Sequence, residues 1–316
     1  MSQPMGPLVT LGETMGLLTS ATLGRLHRGQ SLRLGIAGAE SNVAIGVRRL
    51  GGQAMWMGRV SEDAIGDLIL QEMRAEDVAV HATRDPAPNG LMMKVNRSAD
   101  IVRVLYFRIG SAGSRLCPQD LDEKAIATAG VLHLTGITPA LGDGPAAAVH
   151  AAIEIARANG VTISFDVNYR AALWSKEAAA AELRELVSKA DVVFAGEEEA
   201  KLFVEADTPA GMSTALTALG PSQAIVTCGA RGSVATVGGL VYEQPPIQVR
   251  VIDPVGAGDA FVAGYLAGIL DGHPVEARLA AASASGAFAV TVDGDWEGLP
   301  SREDLAFDSL LDNVIR

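Results

Sequence analysis

The sequence predicts an α/β protein with a mostly parallel central sheet, helices on both faces, and a small β lid. Three observations carry that reading. From Gly130 onward, short, nearly continuous apolar runs alternate with helical segments, as strands buried on both faces require. Before residue 114, strand-like runs are separated by polar turns and a breaker cluster, which describes a hairpin excursion from the main sheet. Near the end, Asp253-Pro254-Val255-Gly256-Ala257-Gly258-Asp259-Ala260-Phe261 leads into the small-residue run Val262 to Gly268. Such a glycine turn points free N–H groups at an anion from a helix N-terminus.

The elements follow in order. Leu8-Val9-Thr10-Leu11 is a first strand that delivers an acid, Glu13, at its carboxyl end. Gly16 to Thr19 and Ser31 to Gly35 alternate weakly around the polar insert Arg25 to Gly29 and read as two edge-type strands. From Gly38 to Gly52, Val43, Val47 and Leu50 recur at helical spacing, with Ser41 or Asn42 as cap and Gly51-Gly52 as stop. Met55 to Val60 is a strand and Asp67 to Ala75 a helix. Leu91 to Asn96 and Ile101 to Arg108 form a hairpin about Arg97-Ser98-Ala99-Asp100. Alternation puts Val104, Tyr106 and Arg108 on one face of the second strand, so an aromatic and an arginine project together.

Beyond that point strands at 131–134, 161–165, 192–194 and 224–227 alternate with helices at 145–159, 176–188, 197–204 and 212–219. A hairpin-like stretch runs through Val241, and helices 260–270 and 275–290 close the chain. Residues 1–13, 38–88 and 114–316 are assigned to one ligand-binding α/β body, and 14–37 and 89–113 to the β lid.

Composition bounds the partners. At 316 residues, 48% hydrophobic and 20% charged, the chain can bury a large core and belongs with soluble globular proteins. A net charge of -12 without a Lys/Arg cluster argues against nucleic acid. No window approaches a membrane span, and Met1-Ser2-Gln3-Pro4 starts no export signal, so a cytoplasmic protein without a membrane partner is expected. Cys117 and Cys228 lie far apart and read as buried free thiols.

Several polar segments fall at strand ends, where open α/β sheets bind ligands. Asp166-Val167-Asn168-Tyr169-Arg170 follows strand 161–165, and Cys228-Gly229-Ala230-Arg231-Gly232-Ser233 follows strand 224–227. Asp259 either caps the helix that follows it, 260–270, or takes a proton from a hydroxyl attacking a phosphate held by the Gly256, Ala257 and Gly258 amides. Asp253 either holds a monovalent cation such as K⁺ or braces the loop. Three glycine-bearing corners with an acid at the rim point jointly to phosphoryl transfer.

Gly38-Ala39-Glu40-Ser41-Asn42, Asp166 to Arg170 and Asp253 to Asp259 together resemble the signatures of ribokinase-like, PfkB-type carbohydrate kinases, over nearly the whole chain. Tyr106 to Ser114 and Gly294-Asp295-Trp296-Glu297-Gly298-Leu299-Pro300 are similar to the corresponding segments of the 2-keto-3-deoxygluconate kinases within that family. The resemblance implies a three-layer α/β/α sandwich with a β lid, ATP, Mg²⁺, and Asp259 as the base. It also implies that Gly256, Ala257 and Gly258 form the anion hole, and that Gly38, Asn42 and Asp295 meet the sugar. Asn168, Gly196, Thr227, Gly229, Arg231, Gly232, Ser233 and Ser283 would lie along the nucleotide.

Tyr106, Arg108 and Arg170 would then surround the carboxylate of a sugar acid with charge-assisted bonds, leaving a neutral hexose poorly matched. Two positions depart from the family pattern: Gly196 stands for the usual Asn of Asn-x-x-Glu, leaving Glu199 near the metal, and Ser283 stands where Asn is common near adenine. The expected activity is phosphorylation of the C6 hydroxyl of 2-keto-3-deoxygluconate. The alternatives are a neutral sugar such as fructose or ribose, a stereoisomeric keto-deoxy acid, or a non-catalytic sensor. Exposed lid strands need covering, so pairing of lids in a homo-oligomer is also expected.

Overall fold

Residues of alternate parity along each central strand enter opposite cores, and this division builds the layers. In β10 (Val192–Gly196), Val192 and Phe194 pack on one side with Ile45 and Leu266, while Val193 and Ala195 pack on the other with Leu183 and Leu186. The structure is a computed structural model that describes residues 5–98 and 101–306. In chain order its strands are β1 (Leu8–Leu11), β2 (Met15–Ser20), β3 (Leu32–Ala37), β4 (Ala54–Ser61), β5 (Ala79–Asp85), β6 (Leu91–Asn96) and β7 (Val102–Phe107). They continue with β8 (Val131–Thr135), β9 (Thr162–Asp166), β10, β11 (Gln223–Thr227), β12 (Ser233–Val237) and β13 (Leu240–Gln244).

A nine-stranded sheet runs β13-β12-β11-β10-β9-β8-β1-β4-β5, and β11 through β5 are parallel. Helices Ala39–Arg49, Ala64–Ala75, Ala257–Leu270 and Val275–Ala289 cover one face, and Asp143–Ala158, Lys176–Lys189 and Pro209–Thr217 the other. This is a ribokinase-like three-layer sandwich. Successive strands step outward in one direction from β1 and in the other from β8, and the main cleft lies beyond the carboxyl ends of β9, β10 and β11. The lid is a separate sheet, β3-β2-β6-β7.

Helix Ala257–Leu270 is buried almost all round, which its small, apolar composition permits. A Cβ on Gly264 would lie 2.8 Å from the Ala282 Cα, and one on Gly46 would lie 2.5 Å from the Ala263 Cβ. Three helices thus close to backbone contact and fix where this helix begins.

The structure corrects several expectations. Strand β5 is an addition, a half-exposed edge whose Ala-Val-His-Ala-Thr-Arg-Asp sequence mixes polar and apolar residues. β2 lies inside the lid sheet rather than at its edge, because β6 pairs with it in parallel. Helix Ala39–Arg49 begins at Gly38 without a side-chain cap; Ser41 instead donates to the Gly38 carbonyl and Asn42 turns toward the crevice. The helix expected at 197–204 is one turn, Glu197–Ala200. Cys117 and Cys228 are half-buried free thiols. Short helices Glu123–Ala127 and Arg302–Ala306 were not anticipated, and Met1 to Pro4, Ala99 and Asp100 lie outside the described residues.

Candidate active site

The turn at the start of helix Ala257–Leu270 is built for glycine. Gly256 has φ 78°, and a Cβ there would lie 1.9 Å from the Asp295 carbonyl oxygen. Gly258 has no atom within 4 Å of its Cβ position, so the backbone there is open to a ligand. Gly256 is the cap residue, and no side chain caps this helix. The capping reading of Asp259 therefore fails: its carboxylate accepts from Asn42 Nδ2 at 2.8 Å instead.

The same Asn42 amide donates to Asp295 at 2.9 Å and holds the two acids beside each other. The surrounding protein and the Asp295 charge push the Asp259 carboxyl up to about 7, against the opposing effects of Asn42 and Arg170. Burial likewise raises Asp295. Beneath them Glu40 is raised by burial while Thr135 and Thr138 donate to it at 2.7 and 2.6 Å. Asp259 is thus poised to exchange a proton near neutrality.

One cleft of about 860 Å³ gathers most of the expected residues. Its lining includes Gly38, Asn42, Arg170 and Asp295 from the body, and Tyr106 and Arg108 from the lid. At the turn stand Gly256, Gly258 and Asp259, and further along lie Asn168, Gly196, Glu199 and Thr227. Ala257 and Asp253 do not line it, nor do Gly229, Arg231, Gly232, Ser233 and Ser283. Arg231 pairs with Glu197, Ser233 is buried in β12, and the Ser283 hydroxyl lies 3.5 Å from the Pro245 carbonyl.

Sequence reasoning missed how these groups are held. Arg108 does not hang freely from the lid: its Nε and Nη2 donate to Glu13 Oε2 at 2.8 and 2.6 Å, and Ser111 donates to the other oxygen. The Arg108 guanidinium also lies 5.9 Å from the centre of the Tyr106 ring. Asp166, at the end of β9, is pushed well above the usual carboxylate range by burial, Glu199 and Asp259. Both Glu199 oxygens accept backbone N–H groups, from Tyr169 at 2.9 Å and Gly196 at 2.7 Å. Gly196 itself has an ordinary φ of -70°, which an L side chain could adopt.

No group of three or more His, Cys, Asp or Glu that could hold a metal ion by itself occurs among the described residues. Burial and the charges of Glu199 and Asp259 nevertheless disfavour an ionised Asp166, and a divalent cation arriving with phosphates would offset that. The site therefore fits Mg²⁺ brought by a nucleotide. Asp253 is engaged differently, by the ammonium of Lys94. No described helix is long and apolar enough to cross a membrane.

The model of the pfkB family carbohydrate kinases matches residues 5–302. The chain is 37% identical to a 2-dehydro-3-deoxygluconokinase of Bacillus subtilis over 303 residues, 94% of each chain. It is 34% identical to a 2-dehydro-3-deoxygalactonokinase of Haloferax volcanii over 292 residues, 91% of this chain and 92% of that one. The crystal structure of a PfkB protein from Polaromonas superposes with a TM-score of 0.86 at 33% identity, covering 95% of this chain and 98% of the other.

Proposed function

This chain belongs to the pfkB family of carbohydrate kinases, and we propose on that footing that it transfers the γ-phosphoryl group of ATP to the C6 hydroxyl of 2-keto-3-deoxygluconate, giving 2-keto-3-deoxy-6-phosphogluconate and ADP. The observation that carries this reading is the placement of Asp259 beside the glycine turn, in a cleft also lined by Arg108 and Arg170. Ionised Asp259 takes the C6–OH proton as that oxygen bonds to the γ-phosphorus. The bond to the β,γ-bridging oxygen breaks, and ADP leaves with its electron pair. The Gly256, Ala257 and Gly258 amides stabilise charge on the transferring group. Asp166 and Glu199 would stand toward a Mg²⁺ ion brought by the nucleotide, which would supply charge neutralisation. Thr227, Asn168 and Gly196 lie toward the nucleotide, and a closed lid excludes water.

Coupled ADP release with ATP, Mg²⁺ and four acceptors tests the proposal: 2-keto-3-deoxygluconate, its galacto isomer, fructose and ribose. Turnover confined to the keto-deoxy acids is expected, and turnover only with neutral sugars would discard the acid reading. The Haloferax relative's substrate makes the galacto isomer the second reading.

Arg108 and Arg170 are the acid-selective groups in this reading. Truncating Arg108 alone would leave Glu13 buried without its partner, at a cost in stability unrelated to recognition. The informative variant is Glu13→Gln/Arg108→Met. Its kcat/KM for keto-deoxy acids is expected to fall about 10- to 100-fold, the value of one or two charge-assisted bonds. A loss of equal size with fructose would remove the carboxylate contact from the account.

A second copy of the chain, seated on the lid, is the partner we propose. The edge strands β3 and β7 expose Leu32, Leu34, Val102 and Phe107, apolar edges that a like strand pair would cover. Light scattering is expected to give a dimer mass; a monomer at all concentrations would refute this.

A further inference from the structure

Strand-borne lysines ordinarily reach solvent, yet the Lys94 side chain on β6 is 1% exposed and its ammonium is paired with Asp253, itself 3% exposed. Asp253 also accepts the N–H of Val255 at 3.2 Å and that of Gly294 at 3.1 Å. Val255 precedes Gly256, and Gly294 precedes Asp295, whose carbonyl oxygen leaves Gly256 no room for a side chain. One ion pair therefore ties the lid to both segments that build the anion turn. Asp293 lies 4.0 Å from the same ammonium; burial lowers the Lys94 pKa, with Arg33 adding to it, while Asp293, Asp295 and Glu297 favour the charged form.

A free monovalent cation does not fit here, because the Asp253 charge is already balanced by a covalently tethered cation. We infer that Lys94 is a positioning residue for phosphoryl transfer, its ammonium standing as the fixed cation of the anion turn in place of free K⁺. Without it, a buried uncompensated carboxylate would lie behind amides that must receive a phosphate. Its kinetic consequences presuppose the phosphoryl-transfer reading above; its consequences for cation binding do not.

The experiment compares the wild type, Lys94→Ala and the charge-free pair Lys94→Met/Asp253→Asn, with K⁺, NH₄⁺ or methylammonium replacing tetramethylammonium at constant ionic strength. Wild-type kcat and melting temperature are expected to stay flat across the salts. Lys94→Ala is expected to lose about 100-fold in kcat with little change in acceptor KM, as a displaced turn would cause. Small cations should restore about 10-fold or more of that loss and raise its melting temperature. The charge-free pair should show neither response.

A wild type that needs K⁺, a fully active Lys94→Ala, or a folded Lys94→Ala indifferent to every cation would each overturn the inference. Should Lys94→Ala fold only in K⁺ or ammonium salts, that supports it; failure to fold in all of them overturns it. If the wild type phosphorylates no acceptor, the kinase reading fails while the melting measurements still decide the role of Lys94.

Discussion

Asp259→Asn is expected to fold, bind ATP and acceptor with little loss, and turn over about 10³- to 10⁴-fold more slowly, the upper range for removing a general base. The substitution keeps the shape of the side chain, and an amide oxygen can still accept from Asn42. It also removes the like charge facing Asp295, so the melting temperature should stay level or rise. The wild-type pH profile carries the same information. The Asp259 carboxyl is raised to about 7, and only its ionised form accepts a proton. Thus kcat/KM should fall about tenfold per unit as pH drops below that value and level off above it. Coupled ADP release across this range checks both the variant and the wild type. Substantial turnover by Asp259→Asn, or a flat wild-type profile through neutrality, would take Asp259 out of the mechanism.

Gly256→Ala is expected to cost about 10²- to 10³-fold in kcat, the scale of a lost oxyanion-hole donor, and to lower the melting temperature. Two effects combine. An alanine in the left-handed region costs about 1–2 kcal/mol, and its methyl would meet the Asp295 carbonyl at 1.9 Å, so the turn or the Asp295 segment must move. Gly258→Ala is the matched control. Its methyl meets nothing within 4 Å and sits inside a helix, where alanine gains about 1 kcal/mol over glycine. That variant should melt no lower than wild type while hindering approach of the phosphates. Steady-state kinetics with thermal melting separates the two; unchanged kinetics in Gly256→Ala would deny the turn its role.

Much of the body was legible because strands such as Val131–Thr135 are buried on both faces and read as apolar runs. Strand β5 escaped because an edge strand needs no such run. The helix expected at 197–204 stops after one turn: Glu199 caps its start by accepting the Gly196 N–H, and the sequence pattern carries no signal for its end. The glycine turn was legible since its backbone demands specific residues. Glu13 and Lys94 were not, because each acts through a partner set by topology: Arg108 is 95 residues from Glu13, and Asp253 is 159 from Lys94. A lysine in a short strand reads as solvated until the fold buries it.

Asn42 meets Asp259 and Asp295 across 217 and 253 residues of chain. On a ribosome adding about 5–20 residues per second, the asparagine would wait roughly 10–50 s for the second of these partners to be made. Before Gly256 to Asp259 are added, all thirteen described strands have been made, the last ending at Gln244, but the anion turn and both acids are missing. A chain released early could bind no phosphate productively, so truncated translation products would be inert rather than wasteful of ATP.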